Sequence, residues 1–215
     1  MSMVKQSSWC LRTCKGMALI VLLAPILPGS ITFAQEPGAA LYQSQCASCH
    51  GNDGLALATP VLHGQEPAYI VKALRAFKSG SRTDRITMSM NTIAAGLTED
   101  QMSALAHYLA GQDPCVIRLE IDHGREGFRE EFSAGRKKYI QSNCSHCHES
   151  FHHYAPRLMG QKADYLSHAL KQFRSGERLA PMMPNLLQTW GEEDYRNVVT
   201  YISGMRLMRS CGPDH

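Results

Sequence analysis

The stretch Cys46-Ala47-Ser48-Cys49-His50 occurs a second time as Cys144-Ser145-His146-Cys147-His148, and this repeated pentapeptide decides the fold. Two thiols three positions apart can add across the two vinyl groups of one porphyrin, and the adjacent imidazole then reaches the iron. A thioredoxin-like redox pair does not require the histidine, and a zinc site built from two Cys-x-x-Cys pairs leaves both histidines unexplained. The sequence therefore predicts two covalently attached haem c groups, bound at Cys46, Cys49 and His50 and at Cys144, Cys147 and His148.

The similarity between the two halves of the chain extends beyond these motifs. Pro60-Val61-Leu62-His63-Gly64-Gln65 corresponds to Pro156-Arg157-Leu158-Met159-Gly160-Gln161, and further matching pairs are Tyr69 with Tyr165, Phe77 with Phe173 and Tyr108 with Tyr201. The offset between matching residues falls from 98 to 93 along the chain, as small deletions in loops would produce. The sequence therefore predicts two copies of one unit of about 80 residues, related by pseudo-twofold symmetry.

The first 34 residues have the pattern of an export signal. Three basic residues precede an uncharged apolar run over residues 17–27, which is short for a membrane span. Thr32 and Ala34 place small residues at the two positions that a signal peptidase reads. We therefore expect residues 1–34 to be a cleaved signal peptide, with an uncleaved anchor helix as the alternative.

The remaining sequence shows helical patterns separated by loops, which predicts an all-α protein. A helix over about residues 39–45 runs into the first motif, and one over about 132–141 runs into the second. Pro67 suits the first turn of the next helix and Gly80 ends it, while Thr98-Glu99-Asp100-Gln101 is a capping box that starts the last helix of the unit. We expect three short helices around each haem. The predicted domains are residues 35–113 and 129–215, joined by a linker over residues 114–128.

The charge balance argues against a nucleic-acid partner. The chain has 22 basic and 19 acidic side chains, and three of the basic ones lie in residues 1–34. The other 181 residues therefore hold 19 of each, whereas binding to nucleic acid calls for a large basic excess. The balance is uneven along the chain, from −2 over residues 35–114 to +3 over residues 131–215, which suits orientation toward protein partners.

Two of the eight cysteines remain after the signal and the haem motifs are taken into account. Cys10 and Cys14 lie in the predicted signal peptide, and the motifs use four more, which leaves Cys115 and Cys211. An even remainder outside the cytoplasm indicates a disulfide. We expect Cys115 and Cys211 to be bridged, with two unpaired thiols as the alternative.

The second axial ligand of each iron is expected to be a methionine. The candidates are Met88 or Met90 in the first unit and Met182 or Met183 in the second. Met90 and Met183 each lie seven residues before the apolar residue that precedes the final helix, Leu97 and Trp190 respectively, whereas Met88 and Met182 lie nine and eight residues before it. The shared spacing favours Met90 and Met183.

With these features, residues 35–215 resemble two class I cytochrome c domains in tandem, and are most similar to the dihaem cytochrome c4 family. The resemblance is carried by the two Cys-x-x-Cys-His motifs, the Pro-x-Leu-x-Gly-Gln segments, the Phe-(Lys/Arg)-Ser-Gly helix ends and a methionine before each final helix. It implies that the carbonyls of Pro60 and Pro156 accept hydrogen bonds from the iron-binding histidines. It also implies a periplasmic electron carrier, often membrane-associated, that passes electrons from a quinol-oxidising complex toward a terminal oxidase.

Ligation by His and Met on both sides of the iron predicts electron transfer rather than catalysis. Such an iron has no open coordination position, and no additional acid–base or nucleophile cluster is apparent in the sequence. We therefore expect outer-sphere transfer between redox protein partners. One alternative is the dihaem subunit of an oxidoreductase such as a flavocytochrome c sulfide dehydrogenase. The other is a dihaem peroxidase, which the chain length and a methionine candidate in each half disfavour.

Other polar residues are weaker candidates for a functional role. Competing axial ligands are His63, His107, His152, His153 and His168, each of which we expect to be solvent-facing or hydrogen-bonded. A basic group could serve as a docking surface for an acidic partner or be an ordinary solvated face, and it consists of Lys137, Lys138, Lys171 and Arg174.

Overall fold

The computed structural model describes residues 36–51, 59–83, 88–113, 123–149 and 155–205, which form ten helices and no β-strand. The first half contains α1 (Pro37–Gln45), α2 (Ala47–His50), α3 (Pro67–Lys78), α4 (Ser89–Ala95) and α5 (Glu99–Gly111). The second half repeats the order with α6 (Phe128–Gln141), α7 (Cys144–His148), α8 (Ala163–Arg174), α9 (Met183–Leu187) and α10 (Glu192–Gly204). The predicted all-α fold is confirmed.

The helices differ from the sequence-based expectation in number and in where two of them begin. Each half has five helices rather than three, because α2, α4, α7 and α9 have only four to seven residues and show no apolar periodicity to predict them. The helix expected from about residue 39 begins at Pro37, and the one expected from about residue 132 begins at Phe128. The last residue of the predicted linker is therefore the first residue of α6.

The predicted start and stop signals of α3 and α5 are present in the structure. Pro67 occupies the first turn of α3, and Gly80 lies just beyond its end with a φ of 74°, a conformation that favours glycine. At the start of α5, Thr98 Oγ1 accepts a hydrogen bond from Gln101 N at 3.2 Å, and Gln101 Oε1 accepts one from Thr98 N at 2.9 Å. The capping box is confirmed.

The first and last helices of each half cross at a glycine, where their backbones approach closely. A Cβ atom added to Gly38 of α1 would lie 2.8 Å from Tyr108 Cβ of α5, and one added to Gly135 of α6 would lie 2.9 Å from Tyr201 Cβ of α10. Real Cβ atoms do not approach other carbon atoms so closely. These two matching crossings pack α1 against α5 and α6 against α10, and Ala47 of α2 and Cys144 of α7 pack against the cores formed there.

Each half has its own hydrophobic core around this crossing. In the first half the fully buried residues Tyr42, Leu97, Met102 and Leu105 belong to one cluster with Ile70, Ala106 and Leu109. In the second half the corresponding cluster contains Tyr139, Leu166, Leu187, Trp190, Val198, Tyr201 and Ile202, among others. The described residues therefore contain two cores that are built from equivalent helices.

The two halves contact each other through matching residues. Arg82 Nη2 donates a hydrogen bond to Tyr165 Oη at 3.1 Å, and Arg178 Nη2 donates one to Tyr69 Oη at 2.9 Å. Tyr69 and Tyr165 are equivalent positions of the repeat, so the two contacts are the same contact made in both directions. This exchange agrees with the predicted pseudo-twofold relation.

Some sequence-based predictions fall outside the described residues. They concern the signal peptide over residues 1–34, the disulfide between Cys115 and Cys211, and the candidate ligands His152 and His153. These stay predictions. Within the ranges that the structure describes, no helix combines the length and the apolar character needed to cross a membrane.

Candidate haem sites

Each Cys-x-x-Cys-His motif forms a single helical turn that brings its three functional side chains together. In the first half Cys46 ends α1, and its carbonyl accepts hydrogen bonds from Cys49 N at 3.2 Å and His50 N at 2.9 Å. Positions i, i+3 and i+4 share one face of a helix, so both thiols and the imidazole face the same side. The second motif forms α7 in the same way, starting after Asn143, which has a φ of 54°.

The motif histidines have the burial and the protonation state that an iron ligand requires. Burial lowers the pKa of His50 to about 4, with a smaller contribution from the positive charge of Lys162. Burial also lowers the pKa of His148. Both imidazoles are therefore neutral at physiological pH, which is the form that binds a metal ion.

The carbonyls of the two expected prolines lie beside these histidines. His148 Nδ1 donates a hydrogen bond to the Pro156 carbonyl at 2.7 Å, which fixes the proton on Nδ1 and leaves the Nε2 lone pair available. The Pro60 carbonyl is close enough to oppose the lowering of the His50 pKa, although His50 Nδ1 makes no hydrogen bond of regular geometry within the described residues. A regular hydrogen bond from the histidine to the proline carbonyl is therefore present in the second half, and the Pro60 carbonyl lies close to His50 without one.

The favoured methionines are more buried than their alternatives. Met90 lies in α4 and is half-buried, whereas Met88 precedes the helix in a left-handed conformation and is 50% exposed. Met183 is the first residue of α9 and packs against the second core, whereas Met182 is 63% exposed. Asn91 holds α4 against α3, because its side-chain amide donates hydrogen bonds to two carbonyls at 2.8 and 2.9 Å. No local sequence pattern indicates this role of Asn91.

The donor set and the surrounding surface fit a covalently bound haem. Each half supplies two thiols, a neutral imidazole and a thioether, which are the groups that attach and ligate haem c. The large exposed apolar side chains in the described residues are Met88, Leu179, Met182 and Leu186, which are close in sequence to Met90 or Met183, and Ile140, which precedes the second motif.

The remaining candidates from the sequence have different environments. His63 is buried rather than solvent-facing, and His107 is exposed with Nδ1 2.7 Å from the Ser103 carbonyl. His168 is exposed on α8. In the basic group, Lys138 pairs with Asp194 at 3.1 Å and Arg174 with Glu192 at 2.7 Å, so two of its four positive charges are partly neutralised.

Comparison with known proteins agrees with this geometry. The family described as cytochrome c matches residues 35–113, and the one described as cytochrome c oxidase, cbb3-type, subunit III, matches residues 130–202. Cytochrome c-552 of Acidithiobacillus ferridurans is 28% identical over 90% of this chain and 88% of its own length. A thiosulfate dehydrogenase electron acceptor from Stutzerimonas stutzeri is 30% identical over 74% of this chain and 78% of its own. The solved cytochrome c4 structure of Acidithiobacillus ferrooxidans matches 75% of this chain and 99% of its own, with a TM-score of 0.64 and 28% identity.

The chain belongs to the dihaem cytochrome c4 family. Its two cytochrome c domains carry two covalently bound haem c groups, as the repeated pentapeptide predicts. It is an electron-transfer protein, as the sequence predicts.

Proposed function

We propose that the first haem is attached through Cys46 and Cys49, with its iron held between His50 and Met90. Three observations support this assignment. The thiols and the imidazole share one helical turn, burial keeps His50 neutral, and Met90 is more buried than Met88. The Pro60 carbonyl lies close to His50, in the repeat position equivalent to the Pro156 carbonyl that accepts the hydrogen bond from His148.

The second haem is attached through Cys144 and Cys147, with its iron held between His148 and Met183. The same features support it, and here the hydrogen bond from the histidine to the Pro156 carbonyl has a length of 2.7 Å. Met183 packs against the core of its domain, while the neighbouring methionine is mostly exposed. The two sites are therefore chemically equivalent.

The protein carries electrons by outer-sphere transfer, and the observation that carries this proposal is the presence of two ligand candidates for each iron. Bound haem c supplies an iron that alternates between the ferric and ferrous states. His50 with Met90 and His148 with Met183 would hold the two irons, and with both ligands bound the chain would leave no coordination position for a substrate. The reciprocal hydrogen bonds between arginine and tyrosine hold the two domains together. Electrons therefore have a short path between the two haems.

The proposed pathway lies in the periplasm, between a respiratory donor and a terminal oxidase or another acceptor. A quinol-oxidising complex is the donor that the family suggests, and the protein associates peripherally with the membrane. The uneven charge of the chain, negative toward residue 35 and positive toward residue 215, supports oriented docking to two different redox partners.

Intact-mass measurement of the purified protein tests the two-haem assignment. After denaturation and acid extraction, the mass is expected to equal the apoprotein plus two haem groups. The paired variants C46A/C49A and C144A/C147A are matched controls, and each is expected to retain one haem. A wild-type mass with one haem or none would contradict the proposal. Rapid binding of cyanide to one haem of the intact protein would indicate a displaceable ligand and favour the peroxidase alternative.

A second candidate function is the electron acceptor of a dehydrogenase, which the similarity to a thiosulfate dehydrogenase electron acceptor favours. The two functions differ in which donor reduces the protein quickly. Stopped-flow reduction by quinol-oxidising membranes is compared with reduction by a thiosulfate-oxidising or sulfide-oxidising dehydrogenase and its substrate. Faster reduction by the membranes is expected under the first proposal, and faster reduction by the dehydrogenase would replace it with the second.

A further inference from the structure

Two buried glutamine side chains connect the domains, because each forms hydrogen bonds with the backbone of the opposite domain. Gln65 Oε1 accepts a hydrogen bond from Arg157 N at 2.6 Å, and Gln65 Nε2 donates one to Arg157 O at 3.1 Å. In the opposite direction, Gln161 Oε1 accepts from Val61 N at 2.8 Å, and Gln161 Nε2 donates to Val61 O at 3.1 Å. Gln65 is 6% exposed and Gln161 is 5% exposed, so water does not compete for these bonds.

The backbone N–H group that donates to Gln65 belongs to the same peptide group as the carbonyl that orients His148. The peptide bond between Pro156 and Arg157 is planar, so its carbonyl and its N–H group turn as one rigid unit. The carbonyl accepts the hydrogen bond from His148 Nδ1 at 2.7 Å, and the N–H group on the other edge donates to Gln65 Oε1. Gln65 of the first domain therefore fixes the rotation of the acceptor for His148 in the second.

Gln161 stands in the same relation to the first domain. The N–H of Val61 that donates to Gln161 Oε1 shares its peptide plane with the Pro60 carbonyl, which is close to His50 although it makes no regular hydrogen bond with Nδ1. A hydrogen bond at one edge of a peptide group also polarises it and strengthens its carbonyl as an acceptor. Each glutamine thus fixes the orientation of the proline carbonyl in the opposite domain and polarises its peptide group.

Both glutamines are themselves fixed to their own domains. The preceding Gly64 N donates to Leu109 O of α5 at 2.9 Å, and Gly160 N donates to Ile202 O of α10 at 3.0 Å. Each glutamine Oε1 also accepts a hydrogen bond from the next backbone N–H, at 3.2 Å in the first domain and 3.0 Å in the second. The final helix of one domain is therefore connected through a glutamine to the histidine acceptor of the other.

We propose that Gln65 and Gln161 are positioning residues that set the reduction potential of the haem in the opposite domain. The inference rests on the proposed function, in which His148 and His50 are the proximal ligands. A histidine that donates its second N–H to a well-placed carbonyl is a more basic ligand, which stabilises ferric iron. Loss of the glutamine lets the carbonyl rotate away, weakens this hydrogen bond and favours ferrous iron. The potential of the opposite haem rises.

The test uses the full dihaem protein with Gln65→Met, which keeps the length of the side chain and removes both hydrogen bonds. Each haem is titrated by spectroelectrochemistry and assigned from the paramagnetically shifted proton resonances of its methyl groups and axial ligands. At the wild-type midpoint of the second haem, the ferrous-to-ferric ratio is expected to increase roughly fivefold, equivalent to one hydrogen bond of about 1 kcal/mol. The resonances of the His148 ring shift as well, and the first haem keeps its potential.

Three further variants separate this role from general weakening of the interface. Gln161→Met is expected to raise the potential of the first haem and leave the second unchanged. Glu66→Gln removes the inter-domain ion pair with Arg157, 2.8 Å long, without changing the glutamine contacts. Gln112→Met makes the same chemical change at a glutamine whose amide donates to Tyr108 O in its own domain. Neither control is expected to shift either potential.

The proposal is supported if each glutamine variant shifts the potential of the haem in the opposite domain and leaves the haem of its own domain unchanged. An unchanged second haem in Gln65→Met, a shift mainly in the first haem, or equal shifts in both would overturn it, as would the same shift in Glu66→Gln. If Gln65→Met does not fold, Gln65→Asn is measured instead, because it keeps an amide that is one methylene too short, and the same criteria apply. Failure of the proposed function is recognised separately, from a wild-type protein that lacks two haems or histidine–methionine ligation.

Discussion

Replacing Gly135 by alanine is expected to destabilise the second domain strongly, because α6 and α10 leave no space for a side chain at their crossing. An added Cβ atom would lie 2.5 Å from the carbonyl carbon of Asn197 and 2.9 Å from Tyr201 Cβ. To restore normal contact, the helices must separate by roughly 1 Å at this point. This movement loosens the packing of the Tyr139 and Tyr201 rings, whose centroids lie 5.3 Å apart.

The expected cost follows from two opposing effects. Overpacking a well-packed crossing costs about 3 kcal/mol, at the upper end of the usual range, because the atoms in the way are backbone. Alanine has a helix propensity about 1 kcal/mol better than glycine, which offsets part of this cost. A net loss of about 2 kcal/mol corresponds to a decrease in Tm of roughly 8–16 °C for a domain of this size.

Thermal unfolding of the dihaem protein, followed by circular dichroism and by haem absorbance, measures this loss. Gly111→Ala is the matched control, because an added Cβ there meets no atom within 4 Å. It is expected to leave Tm unchanged or raise it slightly. A Gly135→Ala variant as stable as Gly111→Ala would refute the inferred close crossing of α6 and α10.

Two further predictions concern the axial ligands and the dependence of stability on pH. Met90→Ala and Met183→Ala are each expected to remove half of the weak near-infrared sulfur-to-iron band of the oxidised protein, whereas Met88→Ala and Met182→Ala leave it intact; loss of the band in Met182→Ala would reverse the choice in the second domain. Hydrogen bonding to arginine lowers the pKa of Glu131 below its usual value, so its stabilising effect is present above about pH 4.5 and is lost as the pH falls through the lowered pKa. Glu131→Gln is therefore expected to lower the free energy of unfolding by about 1 kcal/mol at pH 7 and by progressively less as the pH is lowered. A loss at acidic pH as large as the loss at pH 7 would contradict this reasoning.

The sequence predicted the parts of this protein that depend on covalent chemistry and on local backbone signals. The motif spacing predicted two haem c groups, and Pro67 and Thr98 correctly marked the starts of their helices. The four short helices were not predicted, because a single turn has no apolar periodicity. The start of α6 at Phe128 was missed because the charged stretch before it resembles a linker.

The contacts between residues that are far apart in the sequence could not be predicted from the sequence. The repeat showed that Gln65 and Gln161 are equivalent, but no local pattern indicates that each contacts a residue about 100 positions away. The burial of His63 could not be predicted either, because burial of a loop residue depends on what packs over it. Asn91 was also missed, since its hydrogen bonds join α4 to segments separated by loops.

The glutamine contacts between the domains have the form of an isologous interface, in which residue i touches residue j and j touches i. Two identical single-haem chains would form the same interface as a dimer, but that dimer would dissociate on dilution. Joining the copies in one polypeptide makes the contact independent of concentration. It also allows the two sides of the interface to diverge in sequence. Arg157 forms an ion pair with Glu66, whereas Val61, which occupies the position equivalent to Arg157, is uncharged. One haem environment can therefore be altered without altering the other, which no symmetric dimer permits.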